Sequence, residues 1–255
     1  MKRYPANESS LRHPLHRRKL LKLMGATAIL IGAGHANRHA KGEPRPSPAA
    51  AKHDSTPACV VRPEQMEGPY FIDEKLRRMD IRTDPSNGAV KGGERLNLTL
   101  RVFRINGHAC TPLAGAVVDL WQCDARGVYS GFEDINGLFD TRGQQFLRGF
   151  QEADNQGVVR FVTIYPGWYQ GRTVHLHFKI RTGDESGFEY TSQLYFDDAL
   201  SDRVFTRGAY TGRPRRDVRN EQDWIYREGG SGLMLAVVER PQGYAGTFDI
   251  GLRIG

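Results

Sequence analysis

The chain has 255 residues, of which 39% are hydrophobic and 25% are charged, as is ordinary for a soluble globular protein. These proportions exclude a largely disordered chain, a collagen and a polytopic membrane protein. The net charge of +7 lies in the first forty residues, which hold eight Lys or Arg and one Glu; subtracting them from the totals of 36 and 29 leaves 28 of each sign. A neutral body lacks the basic surface of a phosphate-backbone binder, so nucleic acid is excluded as a partner.

Residues 1–40 have the pattern of a twin-arginine signal peptide. The pair Arg17-Arg18 precedes a soft apolar stretch, residues 23–34, which is too short to span a bilayer but has the length of a signal-peptide core. We favour this route over a Sec-type signal or a permanent anchor, and we expect cleavage after Ala36. The sequence thus predicts export by the twin-arginine machinery to the periplasm or the outside of the cell, with no stable membrane span after cleavage.

The remaining sequence is predicted to be a linker followed by one β-rich domain. Residues 41–57 are rich in Pro and Ala and are expected to be flexible, which leaves residues 58–255 as the functional domain. Apolar residues there recur with the two-residue period of β-strands, in segments separated by turns rich in Gly, Asn and Asp. The segments are 96–101, 116–122, 146–151, 158–164, 174–181, 191–196, 233–238 and 246–254. We predict an all-β fold, an antiparallel β-sandwich of the prealbumin-like type with long surface loops. Residues 205–230 have many charges and no clear period, and we expect them to form a long surface segment that includes at most one helical turn.

The domain has three cysteines, which are too few for a disulfide scaffold or for a zinc site made of cysteines. In an oxidising compartment one pair can close. We predict that Cys59 pairs with Cys110, because both flank predicted strands. Cys123 lies inside a predicted strand and is expected to be buried.

The sharpest local signal is a His-x-His pair in the predicted strand 174–181. On a strand, His175 and His177 project to the same face with their roots about 7 Å apart, so both imidazoles can reach one metal ion. An isolated pair of this kind is more often a surface or hydrogen-bonded pair than a metal site. The glutamate of a cupin, the carboxylate of an iron(II) facial triad and the His-Glu-x-x-His spacing of zinc hydrolases are all missing nearby.

Tyrosines supply the other candidate ligands. Tyr129 and Tyr169 each lie in a turn rich in Gly or Pro, and phenolates are hard anionic donors that favour the higher oxidation state of iron. Two tyrosinates, two neutral histidines and a hydroxide balance the charge of Fe(III), so such a site tolerates a dry cavity. Each tyrosine taken alone fits ordinary packing in a sandwich equally well.

The order of these motifs resembles the intradiol ring-cleavage dioxygenases, over roughly residues 58–200. Within the family, the motif order resembles the iron-bearing subunit of protocatechuate 3,4-dioxygenase and its exported relatives, and we expect the chain to belong to that branch. The helical N-terminal linker of the catechol 1,2-dioxygenases is not seen, which argues against the catechol branch. Only residues 170–174 separate Tyr169 from His175, fewer than in the cytosolic protocatechuate enzymes, so we expect one wall of the pocket to be shorter than theirs. The motifs are Glu67-Gly68-Pro69-Tyr70, residues 115–122, Gly127-Val128-Tyr129, Pro166-Gly167-Trp168-Tyr169 and residues 172–178.

Carried over residue by residue, the resemblance implies a non-haem Fe(III) site with one iron per chain. Arg172 would stabilise an anionic substrate, and Gln193 matches a glutamine that lies outside the family's ligand sphere. The implied metal ligands are Tyr129 (equatorial), Tyr169 (axial), His175 and His177; the implied catalytic residues are Arg172, Gln193 and Tyr169; the implied substrate-binding residues are Pro69, Tyr70 and Arg172.

The activity that the resemblance implies is cleavage of a catechol-type aromatic ring by O2 between its two hydroxylated carbons, which gives a muconate-type diacid. Two other interpretations remain open at this point. One is a secreted prealbumin-like binding module without catalysis, and the other is a protein that captures iron or a catechol siderophore without turnover. The sequence leaves the oligomeric state open, a homo-oligomer included.

Overall fold

The computed structural model describes residues 59–134, 137–183 and 187–254, so the predicted signal peptide and linker lie outside the described residues. Strands dominate this part of the chain, and none of its helices is long and apolar enough to cross a membrane. The strands are β1 (Arg95–Asn106), β2 (Ala109–Pro112), β3 (Val117–Trp121), β4 (Arg148–Glu152), β5 (Val158–Ile164), β6 (His175–Arg181), β7 (Glu189–Tyr195), β8 (Val237–Arg240) and β9 (Gly243–Leu252). The helices are α1 (Asp198–Val204) and α2 (Trp224–Arg227), with short 3₁₀ helices at Gly208–Tyr210, Asn220–Gln222 and Gly230–Leu233.

The first sheet is built around β1, which pairs with β9 along one edge and with β5 and β2 along the other. Alternate residues of β1 from Leu96 to Leu100 are buried, as expected for a strand that turns one face to a core. Strands β1 and β9 run parallel, with Leu96 opposite Tyr244 and Arg104 opposite Leu252, so the sandwich is not antiparallel throughout. The two-residue period predicts a strand but not the direction of its neighbour. Most of the domain lies between these two strands and provides the long connection that a parallel pair requires.

The second sheet has the strand order β4-β3-β6-β7, and all its neighbours are antiparallel. Leu176 and Phe178 of β6 share one buried cluster with Leu100 and Phe161 of the first sheet, which confirms the predicted all-β sandwich. Six of the seven residues of β6 are buried, so the face of the strand opposite this core is covered as well. That covered face carries the His-x-His pair.

The segment 205–230 contains one short α-helix, α2, in agreement with the expected helical turn, but it differs from the predicted surface segment because parts of it pack into the domain. Tyr210, Asn220, Asp223 and Tyr226 are all buried. Asp223 caps the N-terminus of α2, where its side chain accepts hydrogen bonds from two backbone N–H groups. The segment lacks an apolar period because buried polar contacts, rather than an amphipathic face, fix much of its conformation.

Two further details near the C-terminus differ from the sequence prediction. The predicted strand 233–238 begins in a 3₁₀ helix, and β8 starts only at Val237. Helix α1 was not predicted at all; it is seven residues long and begins where the Asp197 side chain accepts a hydrogen bond from Leu200 N. One short helix of two turns carries too little periodicity to be found in a sequence dominated by strands.

A disulfide joins Cys59 to Cys110, and this confirms the predicted pairing. It links the start of the described chain to β2 of the first sheet. Cys123 is free and buried, and burial raises the pKa of its thiol above the usual range, so it is an unreactive core residue.

We expect reduction of this disulfide, or the double substitution Cys59→Ser/Cys110→Ser, to lower the free energy of unfolding. The two cysteines are 51 residues apart in sequence, and closing a loop of that length removes entropy from the unfolded chain. The expected loss is about 4 kcal/mol. Urea unfolding with and without a reductant measures it. The double variant is the control, since its unfolding midpoint should not respond to the reductant; an unchanged midpoint of the reduced wild type would contradict the prediction.

Candidate metal and catalytic site

Four side chains that the sequence identified as candidate ligands come together on the covered face of the second sheet. His175 and His177 lie on β6, Tyr129 lies in the turns after β3, and Tyr169 lies in the loop between β5 and β6. The side chains of Tyr129, His175 and His177 are almost fully buried, whereas Tyr169 is partly exposed. The cluster is therefore closed on the side of the sheet and open on the side of the loop.

The polar atoms of these four side chains approach one another. The Tyr169 hydroxyl lies 3.2 Å from His175 Nε2, and the Nε2 atoms of His175 and His177 are 3.1 Å apart. The Tyr129 ring centroid is 5.7 Å from that of Tyr169 and 6.3 Å from that of His177. The Tyr129 hydroxyl is buried and has no hydrogen-bond partner among the described residues. Since an unpaired buried polar group is costly, this cluster is suited to a ligand that satisfies it.

The backbone sets the tautomer of His175. Its Nδ1 lies 2.7 Å from the carbonyl oxygen of Thr173, and because a carbonyl can only accept, Nδ1–H donates. Nε2 of His175 then presents its lone pair toward His177 Nε2. This arrangement, one ring nitrogen held by a carbonyl and the other aimed into a cluster, is typical of a metal-binding histidine.

Burial keeps all four candidate ligands uncharged in the protein without a metal. It raises the pKa of the Tyr129 phenol well above its usual range, with the nearby Tyr169 as a further cause, and it raises the pKa of Tyr169 in the same way. Burial, and next the Arg172 guanidinium, lower the pKa of His175; burial, and next His175, lower that of His177. Neutral imidazoles are the ligand form of histidine, and a bound cation would provide the charge that favours the phenolates.

The lowered histidine pKa values predict that the metal-free protein loses stability in acid. Below about pH 6.5 the unfolded chain protonates His175 and His177 while the folded chain does not, so stability falls as the pH falls; above that pH these groups contribute no slope. Each histidine contributes up to about 1.4 kcal/mol per pH unit. Urea unfolding of metal-free protein at several pH values measures the slope. The double variant His175→Gln/His177→Gln should flatten this slope; equal slopes in the wild type and the double variant would contradict the prediction.

The donor set fits Fe(III) better than a softer or divalent metal. Among the described residues no group of three His, Cys, Asp or Glu is placed to hold a metal. The oxygen donors that converge with the two histidines are those of Tyr129 and Tyr169. Two phenolate oxygens are hard and anionic and match a trivalent cation. The residues present therefore fit the iron that the sequence predicted.

A close backbone contact brings the two tyrosine loops together. Gly127 has φ +86°, and a Cβ atom built on it would lie 2.1 Å from the carbonyl oxygen of Trp168. Tyr129 follows Gly127 by two residues, and Tyr169 follows Trp168 directly. Only glycine accommodates both this conformation and this contact, so Gly127 allows the two phenols to converge.

We expect Gly127→Ala to separate the two loops and to lower both stability and metal affinity. The expected loss of unfolding free energy is about 2–4 kcal/mol, from a left-handed alanine and a backbone clash. Gly143→Ala is the matched control, because Gly143 has φ +80° but nothing within 4 Å of the built Cβ. Thermal unfolding and iron content of both variants measure the difference. If the two variants behaved alike, the contact with Trp168 would have no role.

Arg172 and Gln193, the predicted catalytic residues outside the ligand set, lie beside the cluster and contact each other. Arg172 Nη2 donates to Gln193 Oε1 at 2.7 Å, and Arg172 Nη1 lies 3.4 Å from His175 Nε2. Gln193 is fully buried opposite His177 in the β6–β7 pair, and its amide donates to the carbonyl oxygen of Met66. The guanidinium charge thus stands next to the candidate ligands.

The predicted substrate-binding residues lie on the open side of the cluster. Tyr70 stacks on Tyr129 with ring centroids 4.2 Å apart, and its ring meets that of Tyr169 edge-on at 6.0 Å. Pro69 is exposed, and Gly68 before it approaches His177, since a Cβ built there would be 3.5 Å from His177 Cε1. These contacts bring residues 68–70 over the metal-ligand candidates.

Two residues that support the site were not predicted from the sequence. Asp223 is buried and binds Arg172 Nε at 2.8 Å. Arg148 is buried beneath the turn that carries Tyr129, where it donates to Ser130 and to the carbonyl oxygen of Tyr70. The sequence carried one signal for Asp223, its place as a potential N-cap just before an apolar turn. It carried none for Arg148.

The fold and the cluster together define a β-sandwich protein with two tyrosines and two histidines converging at one buried point. A family model described as Dioxygenase (Dioxygenase_C) matches residues 66–207, which include all four candidate ligands. A solved intradiol ring-cleavage dioxygenase from Tetranychus urticae is 30% identical, with a TM-score of 0.65 over 76% of this chain and 95% of that one. The dioxygenase domain of a dioxygenase carbohydrate-binding protein fusion from Streptomyces sp. SirexAA-E is also 30% identical, with a TM-score of 0.55 over 77% of this chain and all of that one. The chain belongs to the intradiol ring-cleavage dioxygenase family.

Curated relatives are similar over shorter stretches. Chlorocatechol 1,2-dioxygenase from Pseudomonas putida is 34% identical over 104 residues, which are 33% of this chain and 36% of that protein. Catechol 1,2-dioxygenase 2 from Acinetobacter lwoffii is 28% identical over 159 residues, 53% of this chain and 51% of that protein. The chain thus spans between a third and a half of these relatives. Because they bear the names of catechol and chlorocatechol enzymes, the resemblance to the protocatechuate subunit stays a prediction.

Proposed function

We propose that the protein is a non-haem Fe(III) intradiol dioxygenase that cleaves a catechol-type ring with O2 between the two hydroxylated carbons to give a muconate-type diacid. The observation that carries this proposal is the convergence of Tyr129, Tyr169, His175 and His177 at one buried point, where the Tyr129 hydroxyl has no hydrogen-bond partner in the part of the chain that the structure describes. Family membership and the catechol-related names of the relatives support it.

Iron held by these four residues would provide a Lewis acid for both catechol oxygens and an electron acceptor for the ring. The protein itself contributes proton transfer and orientation. The Tyr169 hydroxyl lies 3.2 Å from His175 Nε2, so a phenolate at its Oη would stand where it can take a proton from a catechol hydroxyl held beside the ligands. Tyr169 is also the ligand candidate on the partly exposed loop, where it can meet an entering substrate.

Arg172 would offset the negative charge of the deprotonated substrate. Its Nη1 lies 3.4 Å from His175 Nε2, and Gln193 accepts from Nη2, so the guanidinium is held beside the ligands before substrate arrives. A preorganised charge of this kind stabilises a developing anion without reorganisation cost. Tyr70 and Pro69 would form the entrance, with the Tyr70 ring stacked on Tyr129.

Oxygen uptake by the iron-loaded protein tests the proposal. We would offer catechol, 4-chlorocatechol and protocatechuate, and follow the product by mass spectrometry with isotope-labelled O2. The proposal expects oxygen consumption with at least one of them and a ring-opened diacid that contains both labelled atoms. Iron-loaded protein that binds a catechol without consuming oxygen would favour capture without turnover. Protein that binds neither iron nor a catechol would favour the non-catalytic binding module. That function gives no reason for the convergence of the four donors.

We also propose that the protein is exported by the twin-arginine route and acts in the periplasm or outside the cell. The motif at Arg17-Arg18 and the disulfide between Cys59 and Cys110 support this, because disulfides persist in oxidising compartments. Export of a folded chain would also let iron be bound before translocation. Fractionation of cells that express the wild type or Arg17→Lys/Arg18→Lys tests the proposal: only the wild type should leave the cytoplasm, and export of both proteins would contradict it.

A further inference from the structure

The carboxylate of Asp223 connects helix α2 to the candidate active site. Its Oδ1 accepts from the backbone N–H groups of Ile225, at 2.8 Å, and Tyr226, at 3.2 Å, and so caps the helix. Its Oδ2 accepts from Arg172 Nε and from the backbone N–H of Thr173, both at 2.8 Å. The Asp223 side chain is fully buried, and four hydrogen bonds fix both of its oxygens.

This contact sets the direction of the Arg172 guanidinium. Asp223 holds Nε and Gln193 holds Nη2, so the remaining nitrogen, Nη1, is the one that approaches His175 Nε2. The planar guanidinium has a fixed fork of donors, and two of its nitrogens held by acceptors leave it little freedom to rotate. Arg172 therefore presents its free edge to the ligand cluster.

The same oxygen also supports the peptide that orients His175. Thr173 donates its N–H to Asp223 Oδ2 and its hydroxyl to Asn220 Oδ1 at 2.6 Å, and its carbonyl accepts from His175 Nδ1. Asp223 and Asn220 thus fix Thr173 from two sides. A partner that holds the peptide behind a ligand histidine controls the direction of the imidazole.

We propose that Asp223 is a positioning residue for the dioxygenase site, acting mainly through Arg172 and to a lesser extent through the Thr173 peptide; this inference rests on the proposed function. A buried carboxylate next to a site for an anionic substrate would oppose substrate binding if it were unpaired. Paired with Arg172 Nε it fixes the guanidinium, and Nη1 still faces the cluster. Helix α2 thereby becomes part of the active-site support although it contributes no candidate ligand.

Asp223→Asn tests the inference with little change of shape. An amide can keep one oxygen toward Ile225 and Tyr226 and so retain the helix cap, but its NH2 then meets Arg172 Nε and Thr173 N donor to donor. We expect iron to bind, anaerobic affinity for catechol to fall by about tenfold, and kcat/KM to fall by about 10- to 100-fold. Asp202→Asn is the matched control, because Asp202 pairs with two arginines away from the ligand candidates and should leave all three quantities unchanged.

A double-mutant cycle separates positioning from a general structural role. In an Arg172→Ala background, Asp223→Asn should lower kcat/KM by less than about threefold, because most of its effect runs through Arg172. Thermal unfolding of metal-free protein checks folding, and Asp223→Ser, which keeps a capping oxygen for α2, replaces the asparagine variant if that fails to fold. If Asp223→Asn lowers kcat/KM equally in both backgrounds, or leaves kcat/KM unchanged while the wild type is active, this inference is wrong and the proposed function stands. A wild type that neither binds catechol nor consumes oxygen overturns the proposed function and this inference with it.

Discussion

Tyr129→Phe and His175→Ala are expected to lose bound iron and activity together. Each removes one of four donors that converge at a buried point, and neither phenylalanine nor alanine offers a replacement. We expect iron content to fall strongly and kcat/KM to fall by more than about 100-fold. Without a metal, Tyr129→Phe should not destabilise the fold, because it removes a buried hydroxyl that has no partner among the described residues. Metal analysis, oxygen uptake and thermal unfolding measure the three effects.

Tyr165→Phe is the matched control for these variants. Tyr165 is also fully buried, but its hydroxyl bonds to Ser201 Oγ away from the candidate ligands. This variant should lose some stability, because it leaves Ser201 with a weaker set of partners, and it should keep its iron. Full iron occupancy in Tyr129→Phe would remove Tyr129 from the ligand set.

Arg172→Ala is expected to keep iron and lose turnover. The guanidinium stands beside the ligands without being able to coordinate a cation, so the donor set stays complete when it is removed. The loss of a preorganised charge that faces a developing anion costs about 100- to 1,000-fold in kcat. Arg172→Lys should recover only part of this, since an ammonium cannot bond to Asp223 and Gln193 in the same geometry. Steady-state kinetics on iron-loaded variants measure both.

Arg160→Ala is the control for loss of a positive charge. Arg160 lies on β5 with a largely exposed side chain, and its ion pair with Asp154 is long. Its removal should leave iron content and kcat unchanged. Normal turnover of Arg172→Ala would show that the charge has no part in the reaction, and loss of its iron would make Arg172 a structural residue instead.

The strands, and one half of the candidate site, could be predicted because strand geometry is periodic. Alternation along β6 predicted that His175 and His177 share a face, and the structure places their Nε2 atoms 3.1 Å apart. Tyr129 and Tyr169 lie in turns, where no period exists, so their chemistry made them candidate ligands but ordinary packing fitted each of them equally well. The resemblance to a family then assigned the tyrosines and the histidines to one site.

Asp223 could not be placed from the sequence because its contacts are distant along the chain. It lies 51 residues after Arg172, in a segment without an apolar period, and its potential N-cap position does not reveal that its carboxylate reaches Arg172. The same reason hid the parallel pairing of β1 with β9. Periodicity shows which face of an element is buried. The partner of a buried polar side chain, and the direction of a neighbouring strand, depend on the rest of the chain.

The visible absorption spectrum of the purified, iron-loaded protein shows whether tyrosinates bind iron here and whether a catechol reaches the same iron. The spectrum is recorded before and after anaerobic addition of catechol. Tyrosinates bound to Fe(III) absorb in the visible range and give a red-brown colour, and direct binding of a catechol to the same iron shifts that band. We predict a band that is lost in Tyr129→Phe, retained in Arg172→Ala, and shifted by catechol in the wild type. A folded protein that stays colourless when offered iron would contradict the proposed iron site, and a band that catechol does not change would contradict the proposed substrate.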